Sequence, residues 1–358
     1  MTIAVHISAG KHEDLSDNFN FVCFSELAIA QPDSHFIFIF DCKPHPELYL
    51  EQNCTPVILL PTLKNNLLRH YWYSYKLPAI IQRYNADILI TAGPTCSFRI
   101  KIPQCLMLKK GEITVAEKRL YLKKFMPVFF ETASHIFTTD PGTLQTLQGK
   151  YSLQGKSSLL FPGLKNETRP ATYEEREAIK KEYTRGNEYF LYAVSDNDFE
   201  KVKTVLKAFS IFKKWQKSSM LMVLLVRPEI ENTILKELAL YKHRDEVLLV
   251  KTNFQSIGLI TSAYGIISGT TELLSLAVPA MKSGVPVIIN ENQNTRESLQ
   301  GALQTTWHEK NISEKMMNLY KDEHMRNEVI KEGLDTTLKY SWKSTTEKLW
   351  NTFQLLVN

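Results

Sequence analysis

The stretch "SGTTELLSLAVPAMKSGVPVI", residues 268–288, decides how the second half of this chain folds. It reads as a turn, an apolar helix and a Gly-Val-Pro-Val-Ile strand. Pro279 stands inside the helical pattern, where a proline removes a backbone hydrogen bond and costs about 3 kcal/mol unless it lies in the first turn. The stretch therefore predicts a helix that either kinks at Pro279 or starts later than its apolar pattern indicates.

The same alternation of short apolar strands and longer helical segments runs through the whole chain. Runs such as "TIAVHIS", "HFIFIFD" and "ADILITA" precede a polar stretch, after which "EYFLYAVS" and "SMLMVLLV" start the pattern again. Such alternation is typical of parallel, doubly wound α/β sheets. We therefore predict an α/β protein with two Rossmann-like domains, residues 1–165 and 186–338.

A last helix follows the second domain, within residues 339–358. Its apolar side carries Trp350 and Phe353, which need a buried surface. We predict that this helix crosses back and packs on the N-terminal domain.

The composition is that of a globular protein, with 358 residues, 44% of them hydrophobic and 23% charged. Five cysteines lie in the first third without a Cys-x-x-Cys spacing, which favours reduced thiols in a cytoplasmic protein. No signal peptide or membrane span is predicted. The net charge of +5 permits an anionic substrate or lipid, and the sequence has no nucleic-acid recognition motif.

Several segments carry a more specific similarity. "YFLYAVSDNDFEKVKTVLKAFSIFKK", "AMKSGVPVI" and "YSWKSTTEKLW" in the second half, and "YNADILITAG" and "IPQCLMLKK" in the first, resemble group 1 glycosyltransferases, also called family 4. The resemblance implies the GT-B fold, in which two Rossmann-like domains face each other across a cleft. It also implies sugar transfer from a nucleotide-activated donor to a glycan or lipid-linked acceptor. The nucleotide-sugar is then the substrate, and no further cofactor or metal is expected.

The sequence departs from this family at positions that normally contact the donor. Phe199 and Glu200 stand where the family has an Arg and a Lys facing the diphosphate, and Pro279 stands where a Glu binds the ribose. Lys109 replaces a His that contacts the donor sugar. Catalytic activity is therefore left open. The alternatives are a degenerate pseudo-glycosyltransferase that binds a partner or a glycan, and a nucleotide-sugar epimerase-like enzyme.

Eight residues are candidates for the donor site: Ser268, Gly269, Thr270, Thr271, Glu272, Arg227, Lys201 and Glu297. The first five form a turn at a predicted helix start, where backbone N–H groups and hydroxyls suit a phosphate, although simple helix capping explains them equally well. Glu272 is the one catalytic candidate. Arg227 follows a strand, and Lys201 is a phosphate ligand if the preceding loop is shifted. Glu297 matches a family glutamate but also fits a surface charge.

The N-terminal domain is expected to hold the acceptor. Lys109 and Lys110 follow a strand there, and basic residues alternate with aromatic ones over residues 67–84 and 109–125. This pattern suits a membrane interface, and it equally suits a helix with an apolar core face and a solvated cationic face. We therefore expect a cytoplasmic protein and leave a peripheral contact at the inner membrane surface open.

Overall fold

Two parallel β-sheets, each flanked by helices, make up the computed structural model of the chain. The structure describes residues 1–8, 15, 18–42, 49–60, 66–164, 168–194, 199–251, 257–269 and 276–357. The chain divides into two compact units. Unit 1 comprises Met1–Gly163 and Tyr340–Asn358, and unit 2 comprises Leu164–Lys339.

The sheet of unit 1 has seven strands in the order β3-β2-β1-β4-β5-β6-β7, all paired in parallel. They are β1 (Thr2–Ile7), β2 (His35–Phe40), β3 (Cys54–Ile58), β4 (Ile88–Ala92), β5 (Gln104–Leu108), β6 (His135–Thr138) and β7 (Ser157–Leu159). Val5 belongs to one apolar cluster and Ala4 to another on the opposite face. Because both faces are covered, the central strands read as continuous apolar runs.

The α-helices of unit 1 lie between its strands, with one exception. They are α1 (Phe19–Ala30), α2 (Asn66–Tyr71), α3 (Leu77–Arg83), α4 (Glu112–Glu117), α5 (Leu120–Thr132), α6 (Pro141–Lys150) and, from the end of the chain, α15 (Trp342–Val357). A π-helix, Trp72–Lys76, joins α2 to α3. The C-terminal helix α15 packs on α1, and its Leu349 and Phe353 are fully buried in the core.

The sheet of unit 2 has six strands in the order β10-β9-β8-β11-β12-β13, again all parallel. They are β8 (Tyr189–Ala193), β9 (Leu221–Val226), β10 (Val247–Lys251), β11 (Gly265–Ser268), β12 (Val287–Asn290) and β13 (Leu303–Thr305). Numbered within the unit, this is the Rossmann order 3-2-1-4-5-6. The strand order reverses between β8 and β11, which makes that point the expected place for a ligand.

The α-helices of unit 2 alternate with these strands and then close the unit. They are α7 (Tyr173–Thr184), α8 (Phe199–Trp215), α9 (Glu231–Ala239), α10 (Ile257–Thr261), α11 (Val278–Lys282), α12 (Gln293–Ser298), α13 (Glu309–Lys321) and α14 (Glu323–Thr337). The predicted fold class, α/β with two Rossmann-like domains, is thereby confirmed. Within the described residues, every helix falls short of the length or the hydrophobicity that a membrane span needs.

Pro279 lies in the first turn of α11, a position that tolerates proline. Two residues of π-helical conformation, Leu276 and Ala277, precede this helix. Pro78 has the same setting, because it starts α3 directly after the π-helix Trp72–Lys76. The α-helical segment that holds Pro279 begins at Val278, and residues 270–275, on which the choice between a kink and a later start depends, lie outside the described residues. Pro279 is also buried, so its ring contributes to the core of unit 2.

Candidate functional site

The candidate donor site lies at the carboxyl ends of β8 and β11. Ser268 ends β11, and Gly269 follows it directly. Ser268 is 1% exposed, and its hydroxyl donates a hydrogen bond to the Gly269 carbonyl over 3.0 Å. Three further candidates of this turn, Thr270, Thr271 and Glu272, lie outside the described residues. The geometry of the site therefore rests on Ser268, Gly269 and their neighbours.

Lys201 is the cationic side chain closest to this turn among the placed candidates. A methyl group on the Gly269 Cα would lie 3.7 Å from the Lys201 Cδ and 3.9 Å from its Nζ. The ammonium therefore lies over the end of β11. Lys201 is in the first turn of α8, so the N-terminal end of a 17-residue helix dipole adds to the positive potential there.

Glu200 and Lys203 lie on a different side of α8. Lys203 contacts the Glu200 carboxylate at 3.1 Å and the Glu237 carboxylate at 3.7 Å, and the Glu200 side chain is 86% exposed. Each helical residue turns by about 100°, so Lys201 points away from this ion pair. Phe199 packs against the hydrophobic core of unit 2. By alignment, Phe199 and Glu200 occupy the positions of the two cationic residues that face the diphosphate in the family. In the structure it is Lys201 that lies beside Gly269.

The remaining described donor candidates, Arg227 and Glu297, are exposed side chains of the same unit. Arg227 is exposed at the end of β9, and its carbonyl accepts a hydrogen bond from the Ile230 N–H over 3.2 Å at the start of a 3₁₀ turn. Glu297 is exposed in α12, and its carbonyl accepts from the Lys339 ammonium over 3.3 Å. Strand β9 is the neighbour of β8 on the side away from β11, so Arg227 and Gly269 are separated by one intervening strand.

On unit 1, Lys109 and Lys110 follow β5, as the sequence predicted. The Lys109 N–H donates to the Glu112 carboxylate over 2.9 Å, across a turn in which Gly111 has a left-handed φ of 76°. Lys110 is exposed. Burial raises the pKa of Glu112, and the hydrogen bond from Lys109 together with the charges of Lys109 and Arg69 offsets only part of that shift. The acid next to the two lysines is thus more easily protonated than an ordinary glutamate.

A Glu112→Gln variant should gain thermal stability relative to the parent as the pH rises. The folded state raises the pKa of Glu112, so its contribution is fully present below the unfolded pKa and is lost as the pH rises through the folded pKa. Glutamine keeps an acceptor for the Lys109 N–H and does not ionise. The melting temperatures of both proteins, measured between pH 4 and pH 8, should diverge in favour of the variant; a pH-independent difference would contradict this.

Sequence reasoning missed a buried polar cluster at the carboxyl end of the unit 1 sheet. His6 in β1 is 1% exposed, and its Nε2 lies 3.8 Å from the Asp41 carboxylate, which accepts a hydrogen bond from the Ser8 hydroxyl over 3.0 Å. Within the described residues, the ring nitrogens of His6 and the hydroxyls of Tyr73 and Thr95 make no hydrogen bond. Buried polar atoms of this kind are rare. The available signal was a polar residue near the end of two adjacent apolar strands, "TIAVHIS" and "HFIFIFD".

Within the described part of the chain, no group of three or more His, Cys, Asp or Glu side chains could hold a metal ion. Among the described residues, no cysteine forms a disulfide bond with another. Burial raises the pKa of the Cys23 and Cys105 thiols well above the ordinary value, which keeps them protonated.

Solved structures of other proteins share this architecture. A glycosyltransferase of Rickettsia africae ESF-5 matches with a TM-score of 0.72 and 12% identity, over 100% of this chain and 98% of its own. HepE of Anabaena, in complex with UDP-glucose, matches with a TM-score of 0.70 and 12% identity, over 99% of this chain and 100% of its own. A Listeria monocytogenes protein provisionally named a UDP-N-acetylglucosamine 2-epimerase matches with a TM-score of 0.62 and 10% identity, over 99% and 97%.

No protein-family model matches the sequence, and no curated protein matches it either. At identities of 10–12% the structural likeness shows the fold, which is the two-domain GT-B fold expected from the resemblance. The fold supports several chemistries, so the function has to be argued from the site.

Proposed function

We propose that this protein is a glycosyltransferase that takes its sugar from a nucleotide-activated donor. The observation that carries the proposal is the position of the Lys201 ammonium over Gly269, at the point where the strand order of unit 2 reverses. Ligands of open α/β sheets bind at such points. HepE, which shares the fold, is known in complex with UDP and with UDP-glucose, and this supports the same donor class here.

The physical argument concerns the diphosphate leaving group, which gains negative charge as the bond to the sugar breaks. A cation about 4 Å from a unit negative charge contributes about 4 kcal/mol at an effective dielectric of 20. Lys201 supplies that cation, and the start of α8 adds its dipole. In this proposal the turn at residues 268–272, Arg227 and Glu297 complete the donor contacts.

The acceptor belongs to unit 1 in this proposal, near Lys109 and Lys110, and is a glycan or a lipid-linked saccharide. A peripheral contact with the inner surface of the cytoplasmic membrane would bring a lipid-linked acceptor to the enzyme. Lys109 and the exposed Lys110 follow the carboxyl end of β5, and α/β sheets bind ligands at the carboxyl ends of their strands. The positive charges of the two lysines suit an anionic acceptor.

A second candidate, a degenerate relative that binds without turnover, is favoured by two residues. Val194 follows β8 where the family has a glycine, and it is fully buried. Phe199 packs in the core where the family has an arginine. Both changes remove donor contacts that the family uses. The Listeria neighbour favours a third candidate, an epimerase-like reaction on a nucleotide-sugar.

A thermal-shift screen with UDP, UDP-glucose and other nucleotide-sugars tests the proposal. Ligand at 100 times its dissociation constant should stabilise the folded state by about 2.7 kcal/mol and raise the melting temperature. Uridine, which differs from UDP only in lacking the two phosphates, is the matched negative control. No shift with any nucleotide would refute a nucleotide-sugar function.

Product analysis then separates the three candidates. Transfer of the sugar to a glycan or lipid acceptor supports the transferase, and binding without any product supports the degenerate relative. Conversion of the nucleotide-sugar into its epimer, or its hydrolysis by water to a free epimerised sugar and UDP, supports the epimerase-like enzyme.

A further inference from the structure

Unit 1 carries an exposed surface that contains aromatic, aliphatic and basic side chains. It is formed by α5, by the π-helix and by the loop after β4. We call it the aromatic–basic surface and define it by Tyr75, Phe98, Arg99, Leu120, Lys124 and Val128. We propose that this surface docks the protein on a membrane that contains anionic lipid.

The apolar members of the surface are unusually exposed for their size. Leu120 is 88% exposed, Phe98 55% and Tyr75 51%. On α5, Leu120, Lys124 and Val128 follow one another at four-residue spacing and share one face, while Leu122 and Met126 are buried. Adjacent exposed apolar side chains of this kind mark an interaction site.

The rings of the surface are held in place by defined contacts. Phe98 stacks on the buried Phe129 with ring centroids 5.2 Å apart. The Arg99 guanidinium lies 4.1 Å above the Tyr75 ring and donates a hydrogen bond to its hydroxyl over 3.2 Å. Phe98 and Arg99 are neighbours in sequence, so these contacts link the π-helix to α5. Tyr75, Phe98 and Arg99 thus lie beside α5, which carries the exposed Leu120, Lys124 and Val128.

The charge of the chain is concentrated in the same region. Residues 66–130 contain eleven Lys and Arg but three Asp and Glu, whereas the rest of the chain contains 32 basic and 35 acidic residues. Lys123 and Lys124 are both exposed on α5. One of the three acids, Glu117, is paired with Lys150 and Tyr151, and these hydrogen bonds lower its pKa. The region therefore carries a net excess of eight positive charges.

An anionic lipid surface fits both properties at once. Aromatic and aliphatic side chains insert at the boundary between headgroups and acyl chains, while lysines and arginines contact the lipid phosphates. Each basic residue near such a membrane contributes about fivefold to the binding constant. A nucleic acid would use the charges but would leave Leu120 and Val128 exposed. A lipid-borne acceptor for this surface rests on the proposed function, whereas lipid binding itself does not.

Co-sedimentation with vesicles tests the inference. We expect the parent protein to bind vesicles of phosphatidylcholine with about one third phosphatidylglycerol, and to bind pure phosphatidylcholine vesicles far less. High salt should weaken the binding because it screens the charges. No binding to the mixed vesicles would overturn the proposal, as would tighter binding to a single-stranded oligonucleotide.

Variants locate the docking surface. Lys123→Glu/Lys124→Glu should bind the mixed vesicles at least about 25-fold more weakly than the parent. Leu120→Ser/Val128→Ser keeps every charge and should still bind about tenfold more weakly. The matched control is Lys321→Glu/Lys331→Glu, which makes the same charge change at exposed positions of unit 2 and should bind like the parent. Equal losses in the first and the control variant would overturn the proposal.

Two further measurements are needed. One shows whether a variant is misfolded, and the other shows whether the nucleotide site, rather than the docking surface, has failed. Circular dichroism melting must show each variant folded, and UDP affinity must be unchanged by Lys123→Glu/Lys124→Glu. A protein that binds the vesicles but no nucleotide keeps the docking surface and loses the transferase proposal. A protein that binds UDP but no vesicle does the reverse.

Discussion

Replacement of Lys201 by methionine should weaken the binding of UDP by about 10- to 100-fold. A hydrogen bond to a charged group contributes about 1.5–3 kcal/mol. The Lys201 ammonium, which lies over Gly269, is the cation that we propose for the diphosphate. Methionine keeps most of the aliphatic length, so packing against Gly269 changes little. Isothermal titration calorimetry of both proteins with UDP measures the effect directly.

Lys203→Met is the matched control, because it removes the same charge two residues along the same helix. The Lys203 ammonium contacts Glu200 at 3.1 Å and Glu237 at 3.7 Å on another side of α8. UDP affinity should therefore change by less than about twofold, since exposed ion pairs contribute little. If Lys203→Met weakened binding more than Lys201→Met, the phosphate would lie on the Glu200 side and the proposed site would be wrong.

Restoring the family's residues is not expected to improve this site. Glu200→Lys changes a side chain that is 86% exposed and paired with Lys203, so it adds a charge at a distance from Gly269. Phe199→Arg removes an apolar ring from the core of unit 2 and should lower the stability of that unit. Alignment by position alone would lead one to expect that both substitutions strengthen phosphate binding, and the geometry gives the opposite expectation.

A Phe353→Ala variant should lose about 3–5 kcal/mol of the unfolding free energy of unit 1. The ring is fully buried, stacks on Phe24 with centroids 6.3 Å apart and meets Phe137 edge-on at 6.2 Å. Truncation leaves a cavity among aromatic side chains that cannot collapse into it. Because the chain has two units, the loss should be followed by hydrogen exchange of the β1 and β2 amides, which report unit 1 alone.

Leu355→Ala is the control for this helix. Leu355 lies two residues beyond Phe353 in α15 and is 84% exposed, so its removal should change the exchange rates little. Amides of β8 and β11 in unit 2 should be unaffected by either substitution. If Phe353→Ala behaved like Leu355→Ala, α15 would not belong to the core of unit 1.

The sequence by itself was sufficient for the fold class and for much of its organisation. Strands buried on both faces must be apolar throughout, which made runs such as "HFIFIF" and "LMVLLV" recognisable. The pattern restarts at β8, and that indicated a second Rossmann-like unit. Pro279 restricted where an α-helix can begin, because its ring and missing N–H act locally. These features depend on neighbours in the chain, so they can be read without the tertiary structure.

The tertiary structure decided which side chains meet. Whether Glu200 or Lys201 faces Gly269 depends on the rotation of α8 against the sheet, where one residue shifts the direction by about 100°. His6 and Asp41 come together because β1 and β2 pair in one register across 35 residues of sequence. The loop residues Phe98 and Arg99 join α5 to the π-helix, because Phe98 stacks on Phe129 and Arg99 lies over the ring of Tyr75. Such contacts are set by packing between distant segments, and local sequence patterns carry no information about them.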